Sequence, residues 1–402
     1  DIMIDIGFKP SKADPCVWLK PNVEENHYEY IAIYVDDLLI AMKNPKSFID
    51  TLKSKYKLKI KGDGPLTYHL GCDYIKDPDG TLLATPRKYI SKILDSFSKM
   101  YPDEKFISIK SPLEKNDHPE LDNSELVDHQ EIQKYMSMIG QLQWAISLGR
   151  FDIQVHAMSM SRFRLAPRKG HIERVKRMYS YLNKTKQYGI RFRTDIPDLS
   201  HLQEISPDWA RSVYGDVKEE IPTDAPKQLG NVVYSFTFFD ANLYHDKVTG
   251  RSVTAILHYL NSTPADWYSK KQATVENATY GSEFVAAKTA SEQILDLRTT
   301  LRYLGVPIHN KSYMFGDNQS VITSSTVPHS LLSKRHNALA YHKVRECIAA
   351  GIISLHWSNS ELNWSDILSK HWEYSKVFHL LRKVFDYQGK LSILEDPSQD
   401  GE

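Results

Sequence analysis

Long apolar runs are missing from this 402-residue chain, and none reaches the roughly 20 residues that cross a bilayer. No membrane partner is expected. Cysteine is scarce: Cys16, Cys72 and Cys347 are odd in number and far apart, which argues against a disulfide framework or a thiolate zinc site. Such usage reads as a reducing, intracellular compartment. Net charge is nearly absent, at +1 from 51 Lys+Arg and 50 Asp+Glu, so bulk charge points to no nucleic-acid partner. The first residues, Asp1-Ile2-Met3-Ile4-Asp5, lack a basic leader and an initiating methionine, so the chain reads as a piece of something longer. What is present is ordinary for globular protein, 41% hydrophobic and 25% charged, with length for two or three domains.

One stretch stands out. Tyr34-Val35-Asp36-Asp37 sits between the apolar runs Ile31-Ala32-Ile33 and Leu38-Leu39-Ile40-Ala41. The pattern predicts two strands joined by a tight turn, with two carboxylates at the tip. Adjacent like charges call for a cation or a proton to relieve them. Hard oxygen ligands there suit Mg²⁺ or Mn²⁺. The plain alternative is a solvated Asp-Asp turn.

Around it, apolar spacing predicts a strand at Val17-Trp18-Leu19 and a helix over 45–56. Two strands over 69–75 and 81–84 flank Asp77-Pro78-Asp79-Gly80, and a helical stripe follows from Tyr89 to Phe97. Pro102, Pro112 and Pro119 leave residues 100–130 as loop. Helices are expected over 130–146, 150–158 and 171–182, with Arg162-Phe163 continuing in helix. Residues 162–193 hold eleven Lys/Arg against one acid, Glu173. With Val175, Met178, Tyr179 and Leu182 facing inward, Arg174, Lys176 and Arg177 are left for phosphate or for solvent. Residues 195–230, with four prolines and many acids, read as a linker.

Beyond the linker, strands are predicted over 232–239, 253–260, 267–269, 313–315 and 352–357. Helices are predicted over 279–304, 331–349, 363–369 and 375–385. The order βββαβαβα points to an α/β, ribonuclease H-like fold with a five-stranded mixed sheet. Asp240 ends the first strand, Glu283 lies early in the long helix, Asp317 ends the fourth strand and Asp366 starts a helix. Each acid alone is ordinary, a helix cap or a solvated charge. Strand-end acids in register with a helix acid form a site of the kind that open sheets place beyond their strand ends. Four such carboxylates can hold two divalent ions, one activating water and one stabilising a leaving phosphodiester oxygen.

The motifs themselves carry a resemblance. Gly7-Phe8, Asp14-Pro15-Cys16 and Trp18, then the 34–41 stretch, then Leu70-Gly71-Cys72-Asp73-Tyr74-Ile75-Lys76 resemble the reverse transcriptase of Ty1/copia-type retrotransposons. Trp267-Tyr268-Ser269-Lys270-Lys271-Gln272, Tyr280-Gly281-Ser282-Glu283, Asp317-Asn318-Gln319-Ser320, Lys334-Arg335-His336 with Tyr341-His342, and Asp366-Ile367-Leu368-Ser369-Lys370 resemble that family's ribonuclease H, in order. The resemblance implies a partial palm and thumb start over 1–98 and a helical thumb or connection over 99–194. A linker over 195–230, a ribonuclease H-like domain over 231–390 and an acidic tail over 391–402 complete the division.

It implies Asp240, Glu283, Asp317 and Asp366 as the catalytic ligands of two Mg²⁺ (or Mn²⁺) ions, cutting the RNA strand of RNA–DNA hybrids. Asp36 and Asp37 become polymerase metal ligands, with Tyr34 beside the substrate. Gly71 becomes a point of close approach to primer–template, a packing glycine being the alternative. Asn318, Gln319, His336 and His342 become substrate candidates, though either histidine could as well be structural. Asn337-Ala338 and Asn242-Leu243 depart from the family pattern. The family's further palm Asp lies upstream of the hairpin, and Asp1, Asp5 and Asp14 do not match it. The polymerase site therefore reads as half a site. Expected partners are hybrid and primer–template nucleic acid and the remainder of a Pol polyprotein, with integrase, upstream palm and fingers. The expected location is a cytoplasmic virus-like particle or the nucleus. A non-catalytic nucleic-acid-binding remnant of a decayed element is the competing reading, and a host-adopted nuclease of other specificity a third.

Overall fold

The computed structural model describes residues 2–202, 208–332 and 335–385. The expected acidic tail over 391–402 and Lys334 lie outside the described residues, as does part of the linker. The first sheet runs β1 (Lys9–Pro10), β2 (Val17–Asn22), β3 (His27–Tyr34) and β4 (Asp37–Ala41), all antiparallel. Helices α1 (Ile2–Asp5) and α2 (Pro45–Ser54) close over it around Met3, Phe8, Ile31, Phe48 and Leu52. Tyr34 pairs with Asp37, so the hairpin turn is Val35-Asp36. Val35 adopts φ +57°, which a two-residue hairpin turn favours and a β-branched side chain resists.

The second sheet runs β5 (Tyr68–His69), β6 (Cys72–Lys76), β7 (Leu82–Thr85) and β8 (Ile190–Phe192). Sequence spacing predicts one strand over 69–75, but the chain turns inside it. His69 pairs with Cys72, and Leu70 and Gly71 sit at φ +48° and +96°. Positive φ at both central residues marks a tight hairpin turn. The three-residue β8 was not legible, being too short to show a period within a basic stretch.

Helices α3 (Arg87–Met100), α4 (His129–Ser147), α5 (Gln154–Ser161) and α6 (Lys169–Lys184) pack their expected stripes together. Ile90, Ile93 and Phe97 meet Tyr135, Ile139 and Leu142, and Val175, Met178 and Tyr179, in one core. Asp128 caps α4 by accepting the Glu131 N–H at 2.9 Å. Helix α5 ends at Ser161, short of the expected continuation through Arg162-Phe163.

The third sheet comprises β9 (Ser235–Asn242), β10 (Val253–Leu260), β11 (Thr263–Lys271), β12 (Ser312–Gly316) and β13 (Ile353–Trp357). Its order is β11-β10-β9-β12-β13; the first three strands are antiparallel, and β12 and β13 join in parallel. This is the ribonuclease H-like mixed sheet that the element order predicts. Around it lie α7 (Thr279–Tyr303), α8 (Gln319–Thr326), α9 (Ala338–Ala349), α10 (Asp366–Ser369) and α11 (Tyr374–Val384). Two details differ from the expectation. Strand β9 runs two residues past Asp240, and the short α8 follows β12 directly.

The composition break at 195–230 is not a break in packing. Phe151, just before α5, stacks on Trp267 of β11 at 4.8 Å and meets Phe385, just past α11, at 4.8 Å. Tyr188 stacks on Phe385 at 5.3 Å. One core therefore runs from α3 to α11. The first sheet is tied on separately: the Tyr28 hydroxyl donates to the Lys227 carbonyl at 2.6 Å and Tyr30 to that of Leu304 at 2.7 Å.

Candidate active site

Four elements converge at one end of the third sheet. Asp240 projects from β9, Glu283 from the second turn of α7, and Asp317 directly follows β12. One oxygen from each lies within 4.8 Å of the others. Asp366, the first residue of α10, lies close enough to Asp240 to feel its charge. Lys370, four residues on, places Nζ 2.8 Å from Asp366 Oδ2.

Local sequence explains the convergence. Strands β9 and β12 are parallel neighbours, and Gly316 lets them close: a Cβ there would stand 2.3 Å from the Phe239 ring. Asn363 donates to the Phe239 carbonyl at 2.9 Å while accepting from Ser365, N–H at 3.2 Å and Oγ at 2.6 Å. That clamp fixes the start of α10 against β9. The Trp357 indole donates to the Asp317 carbonyl at 2.9 Å.

The grouping is electrostatically tense. Burial pushes the Glu283 carboxyl well above the ordinary range, and Asp240 and Asp317 push it further. Burial and then Asp240 raise Asp317. Asp366 is pushed up to about 7, first by burial and then by Asp240. Burial would depress the Lys370 ammonium, yet Asp240 and Asp366 hold its pKa raised. Asp240 is common to all these couplings. Glu283 Oε2 and Asp366 Oδ1 are buried with no hydrogen-bond partner. Buried unsatisfied carboxylate oxygens are costly, and hard divalent cations are what such a set fits.

The other expected residues do not gather here. Tyr34, Val35, Asp36 and Asp37 are exposed at the hairpin tip, and among the described residues no third carboxylate joins Asp36 and Asp37 in a metal-sized group. Asp5 is bonded by Lys55 at 2.9 Å and by Tyr56, and Asp14 accepts the Cys16 N–H at 2.8 Å. At Gly71 a Cβ would stand 3.0 Å from Leu148, which is a packing contact of the kind given as its alternative role.

The basic block pairs within the protein. Arg174 bonds Asp117 twice at 2.8 Å and Asp122 at 2.6 Å. Lys176 pairs with Glu104 and, at 2.9 Å, with Glu173. Arg177 reaches Glu114 at 3.5 Å and Ser111 at 3.3 Å. These cations staple the 101–122 segment, whose acids were too distant in sequence to be read as partners. Asn318 caps α8 through the Ser320 and Val321 N–H groups, and Gln319 reaches Thr323 at 3.4 Å. His336 meets buried Glu276 at 3.2 Å, and His342 pairs with Tyr214 of the linker. Sequence reading missed Gly316, Asn363 and Lys370 as site-building residues. Gly316 and Lys370 stand inside matched motifs, whereas Asn363 carried no signal.

No family model matches the chain. Curated relatives do. The chain is 23% identical over 374 residues to the retrovirus-related Pol polyprotein from transposon RE1 of Arabidopsis thaliana, covering 92% of this chain and 22% of that protein. It is 26% identical over 363 residues to the Pol polyprotein from transposon TNT 1-94 of Nicotiana tabacum, covering 89% and 24%. It is 25% identical over 272 residues to a putative transposon Ty5-1 protein of Saccharomyces cerevisiae, covering 67% and 73%. The similarity to retrovirus-related Pol polyproteins of transposons thus extends over most of the chain, which spans about a quarter of the plant relatives' length. Among solved structures, an N-terminal RNase H domain from Mycobacterium tuberculosis aligns with 34% of this chain and 91% of its own, at 12% identity and a TM-score of 0.26. RNase H1 from Halobacterium salinarum aligns with 35% and 95%, at 13% identity and the same score.

Proposed function

We propose that this chain hydrolyses the RNA strand of RNA–DNA hybrids at the centre formed by Asp240, Glu283, Asp317 and Asp366. The observation that carries the reading is the convergence of three carboxylates within 4.8 Å, with a fourth acting electrostatically on Asp240 and buried oxygens left unpaired. Two Mg²⁺ (or Mn²⁺) ions bound there would activate a water and stabilise the leaving oxygen of a phosphodiester. Asp240 acts on Glu283, Asp317 and Asp366 alike, so it would hold metal together with all three. Glu283 and Asp317, the latter braced through Trp357, would be further ligands. Asp366 would be the fourth, with Lys370 balancing its charge.

The Asp36–Asp37 hairpin is proposed as half of a polymerase metal site. Its missing carboxylate would come from the remainder of the Pol polyprotein. The test is cleavage of an RNA–DNA hybrid by the 402-residue chain in Mg²⁺, with Asp317→Asn alongside. RNA cleavage by the wild type that is lost in Asp317→Asn supports the assignment. No cleavage, or cleavage surviving that substitution, sinks it in favour of a nucleic-acid-binding remnant. Preference for duplex DNA would point to a nuclease of other specificity.

A further inference from the structure

Three histidines are buried together where the helical connection meets the third sheet. His156 of α5 is fully buried, and neither of its ring nitrogens has a hydrogen-bond partner. Its ring stacks on that of His371, between α10 and α11, at 5.2 Å and 17°. His245, in the loop after β9, meets the same His371 ring edge-on at 5.0 Å. Ser159 of α5 joins these two: its Oγ lies 3.1 Å from Nε2 of both His245 and His371. Imidazole is a costly filler at the His156 position, where an aliphatic side chain would leave no polar atom unpaired.

The hydrogen bonds fix where the protons sit. The Asp117 carbonyl can only accept, so His371 Nδ1, 2.9 Å away, carries a proton and donates it. Asn242 Nδ2 can only donate, so His245 Nδ1, also at 2.9 Å, accepts. The proton of that ring is therefore on Nε2 and goes to Ser159. The Ser159 hydroxyl then has two acceptors to choose from, His371 Nε2 and the Val155 carbonyl at 2.9 Å. Turned to Val155, it leaves His371 Nε2 free to take a second proton and to donate to Ser159 in return. Of the three rings, His371 is the one whose bonds survive protonation as they stand. A cleft of about 340 Å³, lined by His118, His245 and His371 among others, opens the cluster to solvent.

Among the described residues, the acids that face the cluster are already engaged. Asp117 is held by Arg174 through two 2.8 Å bonds, and Asp152 by buried Arg150 at 2.7 Å. Asp246 receives Arg162 at 2.6 Å and Lys271 at 2.8 Å. Glu120 meets His118 at 3.2 Å and the Lys247 N–H at 2.9 Å, and Glu373 pairs with Lys115 at 3.2 Å. The neighbouring cations Lys370 and Arg177 turn to Asp366 at 2.8 Å and Glu114 at 3.5 Å. Burial above all holds the pKa of each of the three histidines below the ordinary 6.5. We propose that the cluster is a proton-operated joint: uncharged, it locks α5 to the third-sheet unit, and proton uptake, at His371 first, loosens that contact. The closed joint binds fewer protons than the open one, so the lock is complete above pH 6.5 and weakens as pH falls below it.

The test follows hydrogen exchange of the full chain in chelator, at about pH 7.5 and about pH 5.5, with rates normalised to those of unstructured amides. A histidine that stays neutral when closed and titrates near 6.5 when open shifts the opening equilibrium about tenfold between those conditions. Amides of α5 and α11 should therefore lose at least about tenfold in protection relative to those of α7 and β10. His371→Gln, whose amide can still bond Asp117 and Ser159 but cannot charge, should reduce that loss about tenfold. His156→Leu, which breaks no hydrogen bond, should reduce it on the same scale. The acidic centre cannot mimic the result, because carboxyls whose pKa folding raises stabilise the chain as pH falls. Loss spread evenly over α7 and β10, no loss, or a loss undiminished in either variant overturns the joint. No substrate or metal enters the measurement, so its outcome is separate from that of the hydrolytic reading.

Discussion

Asp366 and Asp317 separate the electrostatic from the catalytic consequences of the acidic centre. Asp317→Asn removes one of three clustered ligands and should cut hydrolysis by about a thousandfold or more, the scale of several kcal/mol of charge stabilisation. Asp366→Asn should do the same to activity while stabilising the metal-free fold. The folded carboxyl titrates near 7 against an ordinary 3.8. The folded state thus binds the extra proton between those values, and stability declines as pH rises through that window. At pH 8 in chelator, Asp366→Asn should therefore unfold later than wild type, by about 1 kcal/mol in denaturant titration. Mg²⁺ should reverse the ranking. An unchanged or lowered midpoint in chelator would contradict this account of the centre. The four acids were legible because strand-end and helix-start positions follow from period and turn chemistry. Lys370 was not, since a lysine four residues past an aspartate reads as an ordinary helix pair.

Strand pairing carries the same centre at the next scale. Gly316→Ala drives a methyl toward the Phe239 ring and should cost about 1–3 kcal/mol, with loss of activity as Asp317 shifts from Asp240. Phe239→Leu in the same chain should recover part of both, measured as midpoint and as cleavage rate; a double variant no better than the single would refute the steric account. On α6, Arg174→Ala leaves Asp117 and Asp122 without their guanidinium partner and should cost about 1–3 kcal/mol. The salt dependence of hybrid binding should not change, because that side chain is already committed. A lower salt slope would return it to the nucleic acid. Helical stripes were readable because their period is local, as in Ile90, Ile93 and Phe97. The identity of a charge's partner was not, because Arg174 and Asp117 are 57 residues apart.

Across the molecule, the stretch that stood out most in sequence, 34–37, is exposed at a hairpin tip where, among the described residues, no third carboxylate joins Asp36 and Asp37. The 402-residue chain should show no RNA-templated extension of a primer; measurable extension would mean that Asp36 and Asp37 find a third ligand. The linker was read from prolines and acids, yet its residues pair with those beyond it. Glu219 within it receives both Arg298 and Arg302 at 2.7 Å, and Trp209 lies against Arg345. With Phe151, Tyr188, Trp267 and Phe385 in one core, the full chain should melt its helical connection and third sheet together. Residues 231–385 alone should melt at least about 10 °C lower, since losing those aromatic contacts removes several kcal/mol. Equal midpoints would show two independent units. That shared core also orders events in time. Helix α11 closes over aromatic rings contributed from Phe151 onward, so it leaves the ribosome long after its partners have. A nascent chain would carry the face of Phe151 and Tyr188 uncovered through synthesis of the whole third sheet, a window in which chaperone capture or aggregation competes with completion.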